Sequence, residues 1–243
     1  MILLDWTCMG KTYCIAGVVQ NQGQWRVVRP MPKCNHALPV RNVGWSPYQM
    51  DGRQRWQVFE LVRPEAAPPL PPHVEDVWVR ELRTQGRLAD VATRRAILQQ
   101  TTVGEGQPLF GAPFVSPNGK AYLMPATGDR SLVTVAASRE QIVFSAFKRP
   151  EKTEPAYRVK LTVDGLREYV LPLKDHCLIQ RVRHMSPQLE GQVKLLTSMV
   201  AEMGRAVAVR LGLSRAYSAT GKDEDAVCWL MADGFFSMDN PQP

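Results

Sequence analysis

The sequence predicts a mainly β protein with minor α, arranged as two small antiparallel barrels in tandem. Two observations predict it. About ten short β-rich runs are joined mainly by tight turns rather than by helices, which is the pattern of antiparallel rather than parallel sheets. The runs also fall into two blocks on either side of a Gly/Pro-punctuated stretch, residues 101–125, and a small barrel needs only ~five strands.

The first block opens with a hairpin. Residues 11–19 are β-rich and end at the turn Gln20-Asn-Gln-Gly-Gln24, after which Trp25-Arg-Val-Val-Arg29 runs to Pro30. Residues 31–52 hold Pro, Asn and Gly without a period and read as loop. Residues 55–62 alternate, with Trp56, Val58 and Glu60 on one face and Phe59 and Leu61 on the other. Five prolines in residues 64–72 predict a stiff, extended connector, because each ring locks φ. A short strand is expected at 76–80. Leu88, Val91, Ala92, Arg95 and Leu98 recur at helical spacing, which predicts a helix over 88–100.

The second block predicts strands at 131–137, 141–147, 157–163, 169–173 and 177–183, with Asp164-Gly165 as the strongest hairpin-turn signal. Leu189, Val193, Leu196, Val200 and Met203 share a helical face, and Gly204 is placed to end that helix. Runs 206–211 and 227–231 read as closing strands around a polar loop at 220–225.

Hydrophobic residues make up 44% and charged residues 22% of the 243, which excludes wholesale disorder, collagen and coiled coil. No apolar run approaches the ~20 residues of a membrane span. The opening Met1-Ile-Leu-Leu-Asp5 has no basic region and is not read as a signal peptide. A cytoplasmic location without membrane association is therefore expected, with the five cysteines as reduced thiols. The net charge of +7 favours an anionic partner such as nucleic acid. Both blocks share in it: residues 1–103 carry 13 basic and 8 acidic residues, and 104–243 carry 17 and 15.

Signatures of catalysis are sparse. There is no phosphate-cradling G-x-x-x-x-G-K-[ST], and Gly104-Glu-Gly106 lacks the strand–helix context and spacing. Nucleophile elbows, zincin helices and deaminase motifs are absent as well. Cys8, Cys14, Cys34 and His36 could converge on a metal, but without paired ligand spacing they read as thiols and a loop histidine. Neighbouring Glu75 and Asp76 diverge on a strand, as do His176 and Cys177. No catalytic residue, metal or cofactor is expected, although acids dispersed in sequence could still assemble a metal-dependent nuclease.

Basic residues interleaved with aromatics are the best functional signal. Lys11 lies on one arm of the first hairpin, with Trp25, Arg26 and Arg29 on the other. In the second block, Arg158 and Lys160 alternate on one strand face beside Tyr157, and Arg181 and Arg183 do the same on another. Two cations on an exposed strand can track phosphates while an aromatic stacks a base. The alternatives are ordinary solvated faces for the cations and inward packing for Trp25.

Several stretches resemble the dual OB-containing domain proteins of prokaryotic conflict systems. They are Lys11-x-x-Cys14-Ile-Ala-Gly17 with Trp25 to Pro30, Trp56 to Leu61 with His73-Val-Glu-Asp76, and Tyr157-Arg-Val-Lys160 with Tyr169-Val-Leu171 and Asp175. Arg210-Leu-Gly-Leu-Ser-Arg215 and Cys228-Trp-Leu-Met-Ala-Asp-Gly234 complete the set. The resemblance implies two OB-like barrels, at 1–100 with the proline connector and helix and at 125–236, with a junction at 101–124 and a tail at 237–243. It also implies a subunit of a multi-component defence or nucleic-acid-processing system whose protein partners supply the chemistry. OB barrels bind oligonucleotides on one sheet face and its flanking loops. The expected function is non-enzymatic binding of single-stranded or guide-type nucleic acid through its backbone. An adaptor that docks a partner enzyme is the alternative.

Overall fold

The computed structural model describes residues 1–9, 11–33, 44–68, 70–104, 107–115, 120–150, 153–163, 167–218 and 225–242. The fold is mainly β with minor α: two curled, OB-like antiparallel units in tandem, with few helices.

The first unit begins with a three-stranded meander, β1 (Ile2–Met9), β2 (Thr12–Asn21) and β3 (Gln24–Pro32). Gln22 and Gly23 form the expected turn at φ 49° and 79°, the left-handed pair that a tight two-residue hairpin needs. A one-turn helix, α1 (Pro47–Met50), follows. Then come β4 (Gln57–Val62), β5 (Glu65–Ala66), β6 (Asp76–Val79), β7 (Glu81–Leu88) and α2 (Val91–Thr101). The sheet order is β5-β6-β3-β2-β1-β4-β7. The β3–β6 pair is parallel, since the chain must cross back over the connector before β6 can join the edge.

β1 is buried on both faces. Its register shifts at Leu4, so that Leu3 pairs Gly17 and Asp5 pairs Ala16. One extra residue inverts the alternation beyond it. Leu3 and Trp6 therefore enter one core with Ile15 and Phe59, while Asp5 turns to the face of Ile2, toward the second unit.

The second unit comprises β8 (Tyr122–Leu123), β9 (Leu132–Ser138), β10 (Ile142–Phe147), β11 (Ala156–Val163), β12 (Arg167–Pro172), α3 (His176–Met185), α4 (Leu189–Glu202), β13 (Ala206–Leu213) and β14 (Cys228–Ser237). Sheets β10-β11-β12 and β8-β14-β13-β9 curl around one core, linked by a bridge between Leu173 and Ala232. Gly204, at φ 99°, ends α4 as expected. The pairing Val163↔Arg167 closes a hairpin around Asp164-Gly165; those two residues lie outside the described ones.

Three expectations need correction. Residues 177–183 are not a strand but most of α3. Asp175 caps that helix by accepting from the Leu178 N–H at 3.0 Å, and Leu178 and Val182, one turn apart, face the core. Arg181 and Arg183 therefore share no strand face. Leu88 ends β7, a strand the sequence did not announce; of the expected helical face Leu98 is buried, together with Arg94 and Ile97, while Val91, Ala92 and Arg95 are exposed. Trp56 stands before β4 at φ 64°, and the expected alternation holds: Trp56 and Val58 pack into one core, Phe59 and Leu61 into the other. Residues 64–72 are not one uninterrupted extended connector: Glu65–Ala66 pair with β6, and Leu70 bridges His73.

The two units share their interior. Ala208 and Phe236 of the second pack with Ile2, Leu4, Trp56 and Ile97 of the first. Glu75 clamps the start of β9: its Oε1 accepts from the Ser131 and Leu132 N–H groups at 2.6 and 3.1 Å, and its Oε2 accepts from the Ser131 hydroxyl at 2.9 Å. The C-terminal segment returns to the first unit, where Trp56 Nε1 donates to Gln242 O and Arg94 to Pro241 O, both at 3.0 Å. Among the described residues no helix is long and apolar enough to cross a membrane.

Candidate functional site

The cationic residues read from the sequence separate into two kinds. On β10 and β11, Ser145 pairs Arg158 and Val143 pairs Lys160. Directly opposed residues share a face, so Val143, Ser145, Phe147, Arg158 and Lys160 all lie on the outward side. Inward stand Phe144, Tyr157, Val159 and Leu161. Phe147 is bracketed by two guanidinium groups, Arg158 at 4.6 Å and Arg149 at 6.0 Å from its centroid. Lys160 meets Glu168 at 2.7 Å on the surface. Arg158 has no carboxylate partner among the described residues.

The other residues sit elsewhere. Tyr157 is buried, not stacked outward; its hydroxyl donates to Gln192 Oε1 at 2.5 Å and accepts from Arg183 Nε at 3.2 Å. Arg183 also pairs Glu154 at 2.8 Å. Arg181 is exposed on α3, at the edge of a cleft with Arg53 and Phe236. Lys11 and Arg26 are exposed, near opposite ends of the β2–β3 hairpin. Trp25 is half-buried against the core of Ile2 and Val18. Arg29 is buried: its Nε meets Asp76 Oδ1 at 2.6 Å, and its Nη2 donates to His73 Nδ1 at 2.7 Å. Burial first, and then the guanidinium groups of Arg29 and Arg215, push the His73 imidazole down to about 2. It is therefore a neutral acceptor at any physiological pH.

Arg29 belongs to a site that sequence reasoning missed. Between the two units lies a cavity of about 500 Å³, within the ~300–1,000 Å³ range of small-molecule sites. Its walls are largely apolar, with Tyr13, Ile15, Trp45 and Leu213, and Tyr217 lines it while remaining 61% exposed. Asp5, Arg29, Lys174, Arg215 and Asp233 bring charge to it.

Two bulges aim its carboxylates. The Leu4 bulge turns Asp5 onto Arg210, whose Nε and Nη2 donate to it at 3.0 and 2.6 Å while Nη1 reaches Thr134 Oγ1 at 3.0 Å. On β14, Gly234 pairs Arg210 and Ala232 pairs Leu211, which leaves Asp233 as the extra residue. Asp233 is 3% exposed, and its Oδ1 has no hydrogen-bond partner. Burial, reinforced by Asp5 and opposed by Arg210, raises its carboxyl to about 7. Arg215 lines the same cavity; its Nη2 donates to Asp76 Oδ2 and its buried Nη1 has no partner. A buried carboxyl poised near neutrality in a cavity is a group that can accept or donate a proton to a ligand.

Gly212 makes room for this arrangement, since a Cβ there would collide with Asp233 Oδ2. Gly212→Ala is expected to cost ~1–3 kcal/mol as overpacking, measured by urea denaturation. A stability unchanged to within a few tenths would show that the carboxyl swings away freely.

Cys14, Cys177 and Cys228 are free thiols. Cys34 and His36 lie outside the described residues, and the described ones contain no group of three or more potential metal ligands. Comparison with family models, with curated proteins and with solved structures finds no match to this chain.

Proposed function

We propose that the chain is a nucleic-acid-binding subunit that holds a single-stranded or guide-type strand by its backbone and leaves the chemistry to partners in a multi-component system. The observation that carries this reading is the outward face of β10–β11, where Phe147 sits between Arg149 and Arg158 with Lys160 two residues further along. The aromatic offers a stacking surface that tolerates any base, and the flanking cations neutralise phosphates. The net charge of +7 supports attraction of a polyanion to this face.

The test is equilibrium binding of a fluorescent oligonucleotide across a salt titration. Arg149→Ala and Arg158→Ala are each expected to lower the salt slope by about one unit and to weaken all sequences alike. Arg158→Lys is expected to be milder, because a point charge still neutralises phosphate. An unchanged affinity and slope in the folded double variant would overturn the reading. The exposed Val143 and the half-buried Phe147 would then mark a protein-docking face.

A further inference from the structure

The backbone reading gives no part to the cavity between the units, yet two residues that line it, Asp233 and Arg215, each hold a buried polar atom without a partner. We propose that it is a pocket for a single nucleobase, which places an N–H donor on Asp233 and a ring-nitrogen or carbonyl acceptor on Arg215. The identity of the heterocycle rests on the nucleic-acid reading above; the existence of a ligand site rests on the cavity itself.

Buried polar groups are almost always paired, and leaving one unpaired is costly. Asp233 and Arg215 both line the cavity, and their Oδ1 and Nη1 are buried without partners. An ionised carboxyl only accepts hydrogen bonds, and a guanidinium only donates them. A ligand that satisfies both must offer donor and acceptor on one molecule. The remaining walls ask for a flat apolar body, since Tyr13, Trp45, Met31 and Leu213 surround the space. The Trp45 indole N–H is already spent on Pro30 O at 2.8 Å, so that ring offers contact area and no hydrogen bond. A purine or pyrimidine has a flat body with donor and acceptor on its edge, whereas a bare phosphate or a fatty chain has only one of these properties.

The sequence invests in the site. The bulge in β14 and a glycine whose Cβ would strike Asp233 aim and accommodate the carboxyl. Bulges that re-aim a side chain concentrate beside functional sites. Tyr217, largely exposed at the cavity, stands where an entering ring can stack. The base can come from a free nucleoside or from a nucleotide extruded from a bound strand.

Adenosine, guanosine, cytidine and uridine are titrated into wild type, Asp233→Asn and Tyr217→Ala, with ribose 5-phosphate as the base-free control. Binding is read by calorimetry and by thermal shift. At least one nucleoside is expected to bind wild type, to lose tenfold or more in Asp233→Asn and to weaken in Tyr217→Ala, while ribose 5-phosphate does not bind. A short oligonucleotide and its counterpart with one abasic position separate the sources. If the abasic strand loses affinity and Asp233→Asn abolishes the difference, the base arrives within a strand; nucleoside binding with equal strand affinities assigns the free nucleoside. The inference is overturned if no nucleoside binds and the abasic strand equals the intact one, or if binding is the same in both variants. Oligonucleotide binding that stays sensitive to Arg158→Ala under those results would leave the backbone reading standing without the pocket.

Discussion

Arg210→Met is expected to destabilise the protein by about 3–5 kcal/mol, the usual cost of breaking a buried ion pair by removing one member. Arg210 is wholly buried, and Asp5 is 2% exposed. Both oxygens of Asp5 accept from this one guanidinium, so the variant strands a carboxylate in the interior and leaves Thr134 short of a partner. Total stability of a folded domain is only ~5–15 kcal/mol, so the loss would shift the urea midpoint severely. The double variant Asp5→Leu/Arg210→Met tells a different story. It removes the orphaned charge together with the cation, and apolar replacement of a buried pair is often neutral. Most of the loss should return. Denaturation followed by tryptophan fluorescence and circular dichroism measures both. A single variant within 1 kcal/mol of wild type, or a double variant no better than the single, would show that the pair does not join the units as the geometry states.

That pair also shows what the sequence could and could not reveal. Most strands were legible from β-rich runs and turn residues, as in the hairpin closed by Gln22 and Gly23. α3 was misread because Cys-Leu-Ile-Gln-Arg-Val-Arg has the residue types of a strand. The helical signal was there in Asp175, three residues ahead of Leu178 and followed by Val182 one turn on. β7 was missed because its face is half exposed and its charged residues hide the alternation. Arg29 was legible as a cation but not as a buried one, since its partners Asp76 and His73 come from the far side of the proline connector. The cavity left only a faint trace: single charged residues, Asp5, Arg210 and Asp233, inside apolar strand runs. A bulge has no sequence signature of its own, and the side to which each of those charges turns is decided by a one-residue register shift.

Asp233→Asn is expected to raise stability at pH 8 and to leave it nearly unchanged at pH 4. The carboxyl ionises at 3.8 in an unfolded chain and near 7 when folded. The folded state thus holds the proton more tightly. The resulting stabilisation is complete below pH 3.8 and is lost as pH rises toward 7, for a total of about 4 kcal/mol at 1.36 kcal/mol per unit. The amide cannot ionise and escapes that loss. His73 tilts the other way. Burial first, and then Arg29 and Arg215, take its imidazole from 6.5 to about 2, so its contribution is present above pH 6.5 and is lost as pH falls. Between pH 4 and 6.5 the two slopes oppose each other in wild type. Removing the Asp233 titration should therefore leave a profile that climbs with pH by about 1.4 kcal/mol per unit through that window. His176, lowered mainly by burial, adds the same upward tilt to both proteins and cancels in their difference. Asp5, Arg210, Asp175 and Lys174, the charges that act on Asp233, are present in both as well. Urea denaturation at half-unit steps from pH 4 to 8 gives the difference curve directly. A curve that is flat across the whole range would mean that the Asp233 carboxyl is ionised in the folded protein at pH 4 and has found a partner or water.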